Sequence, residues 1–411
     1  MIDEATRSQS ESASPVELSP SARAFQLEVR EWLAANAPAE LKGRRLPRYR
    51  PDAEVRAALD AWTEHLAQAG YMCVAWPKEY GGRGLSGVEV ALLNEEFHNA
   101  GVPRMTRGMG EGLVGPSIIA HGSAEQKAKF LPRIIDGTDR YCQGFSEPNA
   151  GSDLASLRTK GVLDGDDIVV TGQKVWTSWY WDATTMFCLC RTDPSAPKHK
   201  GISYVLLPIE VDGKPNGIEF RPIKQATGDG NFAEAFITGA RAPQLNIIGG
   251  LNNGWRVAMT TLGNERGGGA TTQYTQFEDE FKRLVEDARR LGKLDDPVIR
   301  EKLAWAFSNV EIMRYSGLLL LNALAGGRDP GAGGSASVNK IRWSEYQRKL
   351  AEIALDILGP EAMVVGESYQ LAPWQQTFLH TRTHTIWGGT AEIQRNIIAE
   401  RVLGLPKEPN S

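Results

Sequence analysis

Cysteine is scarce in this 411-residue chain: the four, at positions 73, 142, 188 and 190, form no Cys-x-x-Cys pair and no cluster with zinc spacing. A disulfide scaffold and a structural zinc site are therefore excluded, and the expected surroundings are reducing. No run of about 18 apolar residues occurs, so no membrane span is expected. A strong charge of one sign is also missing. The 46 Lys and Arg against 50 Asp and Glu leave a net charge of -4, which gives no general attraction to nucleic acid or to anionic membrane. The stretch through about Ser19 is Ser/Glu-rich, with Asp3, Glu4, Glu11 and Glu17. That is too acidic for a secretory signal or a transit peptide, so residues 1–20 read as a disordered lead-in and a cytoplasmic location is expected.

What is present is ordinary globular material, 41% hydrophobic and 23% charged, in a chain long enough for two or three domains. From about 21 to 140 the pattern is helical. Ala24, Leu27, Val29, Trp32 and Leu33 recur at near-helical spacing, and a second helix spans about 53–69. Ser86 with Glu89 forms a capping box, and Ser123 opens a helix to Ile135. From 141 to 249 the period becomes two, with short strands at 167–171, 185–191, 202–208, 218–223 and 232–238. Strands without intervening helices predict an antiparallel sheet. From 250 to 411 helical patterning returns, at about 255–291, 295–325, 338–358 and 389–403, with 326–334 as a linker. The expected class is α+β: a helical domain, a β-domain and a C-terminal helical bundle.

Chemistry concentrates in Tyr141–Asp153, where hydroxyls, a Pro turn and small residues follow a strand-like start. Further on, Gly172-Gln173-Lys174-Val175-Trp176-Thr177-Ser178 sets a large aromatic beside hydroxyls. A Trp face with convergent polar groups suits a flat conjugated ring. A surface turn followed by an ordinary strand fits the same residues.

Other patterns point elsewhere and fail. Gly110-Glu111-Gly112-Leu113-Val114-Gly115 matches Gly-x-Gly-x-x-Gly, but no strand precedes it, so close helix packing is expected instead. His380 and His384 have i,i+4 spacing without the metalloprotease Glu, which predicts a polar surface or interface helix and no metal. Gly267–Gly269 lacks the Lys-Ser/Thr of a phosphate loop. Trp179-Tyr180-Trp181 either lines an apolar cavity or caps the sheet; the cavity is favoured because Ser178 is adjacent.

Taken together, Ser-Glu-Pro-Asn-Ala-Gly-Ser-Asp at 146–153, Gly-Gln-Lys-Val-Trp at 172–176 and Ile-Trp-Gly-Gly-Thr-Ala-Glu-Ile-Gln-Arg-Asn at 386–396 resemble the acyl-CoA dehydrogenase family. Leu113–Pro116, Thr192–Pro194 and Asn264-Glu265-Arg266 follow in the family's order, and the resemblance covers about 21–406. It implies an FAD enzyme that oxidises an acyl-CoA thioester to its trans-2-enoyl form and passes electrons to an electron-transfer flavoprotein. By position, Gln143, Phe145, Ser146, Gly151, Ser152, Trp176, Ser178, Thr390 and Glu392 would hold FAD. Ser152, Arg266 and Gly388 would border the substrate.

Three departures matter. Most members carry a Glu where this chain has Gly388; a minority branch takes its base from a Glu-Arg pair on an earlier helix, here Glu265-Arg266. Glu265 is therefore expected to be the catalytic base; a solvated, ion-paired helix residue is the plainer role. The family's Arg-x-x-Phe-Gly, which reaches a neighbouring subunit's FAD, is Ala288-Arg289-Arg290-Leu291-Gly292 here. Its Gln before Gly-Gly is replaced by Asp356. An aspartate facing a diphosphate repels it, so a heterotetramer with a related subunit stands beside a homotetramer. Two further readings are a partner subunit completing a shared FAD site, and an oxygen-using relative such as an acyl-CoA oxidase or flavin monooxygenase.

Overall fold

The computed structural model describes residues 18–44, 52–267, 271–325 and 334–407, without the side chains of Arg266 and Gly267. The lead-in to residue 17, the linker at 326–333 and Gly268–Gly269 lie outside the described residues.

The first domain holds α1 (Pro20–Asn36), α2 (Ala53–Gln68), α3 (Gly87–Asn99), a π-helical turn at Gly110–Val114, α4 (Gly115–His121) and α5 (Ala124–Ile135). Ser86 and Ser123 each form a complete capping box, with Glu89 and Gln126. Helix α1 buries Ala22, Phe25, Val29 and Leu33, and the expected face is corrected: Leu27 is 51% exposed. The buried set steps by three and four along one helix face, whereas Ala24 and Leu27 step by three along another.

The β-domain comprises β1 (Tyr141–Gly144), β2 (Lys160–Asp164), β3 (Asp167–Ser178), β4 (Thr185–Arg191), β5 (Ile202–Pro208), β6 (Glu210–Val211), β7 (Lys214–Pro215), β8 (Ile218–Ile223), β9 (Phe232–Pro243) and β10 (Ile247–Ile248). Its main sheet runs β10-β5-β4-β2-β3-β9-β8, with β1 also on β4. The sheet is antiparallel as expected except where β1 runs parallel to β4 and where β2 meets β4 in parallel at Lys160–Arg191. β1 enters from the helical domain and lies beside β4 with no hairpin joining them, so nothing forces it to run antiparallel. Both faces of β4 and β5 are covered. Phe187, Leu189, Tyr204 and Leu206 join the core of the helical domain, whereas Cys188, Cys190, Val205 and Leu207 join a core on the other face. All four cysteines are buried and unpaired. Burial drives the Cys188 thiol up to about 11, which keeps it protonated and inert.

The C-terminal domain is built from α6 (Gly254–Gly267), α7 (Tyr274–Arg290), α8 (Pro297–Ala325) and α9 (Ser335–Leu358), followed by α10 (Pro373–Thr381) and α11 (Ala391–Ile397). One helix was expected over 255–291; α6 ends at Gly267, and residues 271–273 form a turn from which α7 starts at Tyr274. Phe277, Leu284, Val310, Tyr346, Leu350 and Ile357 form its core. The expected surface helix carrying His380 and His384 is also corrected. Both imidazoles are buried, with ring centroids 5.0 Å apart, because α10 packs on α9 and stops at Thr381. Among the described residues no helix is long and apolar enough to cross a membrane, and no cluster of His, Cys, Asp or Glu could hold a metal.

The glycines at 110–115 serve packing. A methyl group at Gly115 would be driven into the Trp76 ring, whereas one at Gly112 would meet nothing within 4 Å. Gly115→Ala should therefore cost about 1–3 kcal/mol in urea unfolding, while Gly112→Ala should change stability by less than about 0.5 kcal/mol.

Candidate active site

The site is assembled from a bulged strand, a turn and two C-terminal segments. On β3, Lys174 pairs with Ala235 of β9, and Thr177 pairs with Ala233. Three steps on one strand thus oppose two on the other, so one residue is extra. Trp176 sits in that bulge with φ +63°, and its ring is 58% exposed. Strict alternation would have turned it to the buried face shared by Val170 and Lys174. Positive φ in a bulky residue is costly and persists where function or surrounding structure holds it. Thr177, next in line, is fully buried, and its hydroxyl finds no hydrogen-bond partner among the described residues.

The turn after β1 is tied to this strand from below. Lys174 is wholly buried; its Nζ donates to Phe145 O at 3.0 Å and pairs with Glu147 Oε1 at 2.9 Å. Glu147 also accepts from the backbone N–H groups of Arg158 at 2.7 Å and Thr159 at 2.8 Å. Val175 N donates to Ser146 O at 2.9 Å. Burial alone would raise the Glu147 pKa, but the Lys174 charge and these hydrogen bonds outweigh it and hold the carboxyl below its usual range. Above this anchor, Gln143 and Ser146 are half-buried, and Gly151 and Ser152 are exposed. Phe145 turns its ring into the core against Phe187 and Tyr204, at 5.5 and 6.0 Å, so any contact it makes with a bound group is through its backbone. Ser178 Oγ lies 3.5 Å from the Trp176 carbonyl.

On the far side, α6 is docked by Ser117 Oγ to Thr261 Oγ1 at 2.8 Å and His121 Nε2 to Thr260 Oγ1 at 2.7 Å. Its last turns carry a half-buried Glu265. The side chain of Arg266 lies outside the described residues. Gly388 adopts φ +68°, and a β-carbon there would lie 3.7 Å from Glu265 Oε1. Residues 265 and 388, 123 positions apart, thus address one point in space. The segment bearing Gly388 is held by Gln394 Nε2 donating to its carbonyl at 3.1 Å and by Trp387 Nε1 donating to Thr383 Oγ1 at 3.1 Å. Thr390 caps α11, its hydroxyl accepting from Ile393 N at 3.2 Å. Glu392 is exposed; its own backbone N–H and the Thr390 hydroxyl hold its carboxyl below the usual range.

Structure brings Ser146 beside the strand that carries Trp176 and Ser178, and Glu265 beside Gly388 on the C-terminal domain. Sequence reasoning passed over Lys174, Glu147 and Thr177. The only signal was a lysine and a glutamate inside the two richest motifs, in a domain otherwise reading as apolar strand. Trp179, 44% exposed at φ +63°, stacks towards Trp181 at 5.3 Å, and Tyr180 bonds Gly230 O at 3.0 Å, which ties the aromatic cluster to the end of the sheet.

A helical domain, a two-faced β-domain and a C-terminal helical bundle, in that order, are the arrangement that the sequence resemblance implies. The chain belongs to the acyl-CoA dehydrogenase family: its N-terminal, middle and C-terminal domain families match at residues 19–138, 142–238 and 252–403. It is 43% identical over 388 residues to acyl-CoA dehydrogenase IpdE1 of Mycobacterium tuberculosis, covering 93% of this chain and 98% of that one. Among solved structures it resembles the Tcur3481-Tcur3483 steroid ACAD, with a TM-score of 0.77 and 29% identity over 95% of this chain and 99% of the other. It equally resembles the ChsE4-ChsE5 complex of Mycobacterium tuberculosis, with a TM-score of 0.76 and 29% identity over 96% and 100%. FAD is the family's cofactor. The residues present fit it, since an outward aromatic face and an unpartnered buried hydroxyl are what a polar-edged ring system needs.

Lys174→Met should cost about 3–5 kcal/mol at neutral pH, because Glu147 is left buried and unpaired. The folded pKa of Glu147 lies below its unfolded value, so its contribution is present above the ordinary carboxylate range and is lost as pH falls through the folded value. The gap between wild type and Lys174→Met in urea unfolding should therefore shrink as pH falls below the ordinary carboxylate range.

Proposed function

We propose that the chain removes the α-proton of an acyl-CoA thioester with Glu265 and so directs α,β-dehydrogenation to the enoyl-CoA. The observation that carries this is the approach of Glu265 Oε1 to the space a side chain at Gly388 would occupy. A thioester α-proton leaves only if a carboxylate is in reach while the developing enolate oxygen is stabilised. A second carboxylate at 388 would stand against the first, so a single base with glycine opposite is the arrangement electrostatics favours. Bound FAD supplies the hydride acceptor. Gln143, Phe145, Ser146, Gly151, Ser152, Trp176 and Ser178 hold FAD on the β-domain, and Thr390 and Glu392 reach its dinucleotide part. Ser152, Arg266 and Gly388 border the thioester. Electrons pass on to an electron-transfer flavoprotein.

The vacated side chain at 388 makes room for a bulky acyl group. Likeness to a structure described as a steroid ACAD supports a fused-ring substrate. Assembly with a related, unlike subunit is favoured over a homotetramer. At the family's FAD-reaching positions Ala288 is buried and Asp356 is tied to Lys302 at 2.6 Å, so this edge is satisfied within its own chain. The ChsE4-ChsE5 relative is itself described as a complex of two proteins.

Glu265→Gln should slow bleaching of the flavin absorbance by acyl-CoA about 10²- to 10⁴-fold with FAD content unchanged; undiminished bleaching removes Glu265 from the role. Trp176→Ala should lower the FAD retained through gel filtration, and equal flavin content would contradict its placement. Spectra of the purified chain, alone and co-expressed with a related subunit, test the shared site.

A further inference from the structure

Two consecutive glycines stand where the C-terminal domain faces Glu265. Gly388 has φ +68° and Gly389 has φ +92°, both in the region that side chains disfavour. Backbone of this kind is permissive, and the peptide shared by the two glycines turns over easily unless something holds it. The residues on either side are fixed. Ile386 N and Trp387 N donate to Thr383 O at 2.9 and 3.1 Å, and Ala391 N donates to Thr385 O at 3.0 Å. Between these anchors the backbone of the two glycines makes one hydrogen bond among the described residues: Gln394 Nε2 donates to Gly388 O at 3.1 Å.

Gln394 is fully buried on α11. Its other amide atom, Oε1, is enclosed and accepts no hydrogen bond among the described residues. A buried acceptor left empty is costly and calls for an explanation. Turning the amide over offers no relief, because Oε1 would then stand against Gly388 O, acceptor against acceptor. The empty oxygen is thus the consequence of aiming Nε2 at that carbonyl. Gly389 is fitted to the same contact, since a β-carbon there would run into Gln394 Nε2. An unsatisfied oxygen and a position with no room for a side chain both serve one bond.

That bond controls the surroundings of the carboxylate. A β-carbon on Gly388 would lie 3.7 Å from Glu265 Oε1, so the Gly388–Gly389 peptide stands beside this group and its dipole forms part of the field there. A lysine or arginine could hold Gly388 O as firmly, but its charge would lower the affinity of a nearby carboxylate for a proton. A carboxamide holds it without charge. We propose that Gln394 is a positioning residue for proton abstraction: by fixing the Gly388 carbonyl it keeps the Gly388–Gly389 peptide in one orientation opposite Glu265. The proposal rests on the reading of Glu265 as the base.

The test uses the FAD-loaded enzyme with its partner subunit and 3-cyclohexylpropanoyl-CoA as the probe. Flavin bleaching followed by anaerobic rapid mixing over a range of probe concentrations gives a limiting rate and a Kd. Gln394→Met keeps the length of the side chain but cannot donate. It should lower the limiting rate about 10- to 100-fold, as a small misplacement of reacting groups does, with Kd and FAD content within about twofold of wild type. Hydrogen exchange of the peptide spanning residues 385–391 should speed up about tenfold in the same variant. Should Gln394→Met fail to fold, Gln394→Asn, whose amide is one methylene short of Gly388 O, should give the same split between rate and affinity. A limiting rate that falls in step with affinity and FAD content overturns the positioning role. Slow bleaching by Glu265→Gln with an unimpaired rate in the Gln394 variant also overturns it, and leaves the dehydrogenase reading intact. Undiminished bleaching by Glu265→Gln removes the base instead; the exchange rates then decide the lock alone, and equal exchange in wild type and variant overturns it.

Discussion

A buried ammonium needs an anion, and Lys174 finds it in Glu147. Taking either charge out of water alone would be prohibitive, so the pair must form together, and forming it brings the turn after β1 onto β3. The same carboxylate gathers the N–H groups of Arg158 and Thr159, which would otherwise be left open where β2 begins. One ion pair thus sets the height and tilt of Ser146–Asp153 relative to the strand that carries Trp176. The polar groups above it are ordered because the charge beneath them has no alternative partner of comparable quality.

That anchoring gives the bulge its meaning. An extra residue in β3 turns a tryptophan outward and drops Thr177 into the interior, where its hydroxyl has no protein partner. Strain, exposure of a large ring and an unpartnered hydroxyl coincide within two residues. A large ring held exposed at positive φ is costly, so the surrounding structure must over-determine the Trp176 conformation. The C-terminal domain answers from the opposite side with one carboxylate and a glycine in the left-handed region facing it. Glycine at 388 leaves open the space beside the Glu265 carboxylate that a side chain would fill.

Much of this was legible beforehand. The capping box at Ser86, the N-cap at Ser123 and the strands β4, β5 and β8 follow from local periodicity and hydrogen-bonding chemistry, which short stretches carry in full. Strand β2, the helix α10 and the turn at 271–273 were not legible, because short segments take their state from what they pack against. The exposed Leu27 shows the same limit within a helix, where near-helical spacing was satisfied by two faces and only packing chose between them.

By itself the sequence determined the order of domains, the family and the two motifs that flank the site, since each is written in contiguous residues. The tertiary structure alone decided that Trp176 faces outward, that Lys174 is buried against Glu147, and that Glu265 and Gly388 share one point in space. The physical reason is that a bulge, an ion pair and a cross-domain approach are relations between distant residues. Their energies depend on distance and dielectric, which linear spacing does not contain.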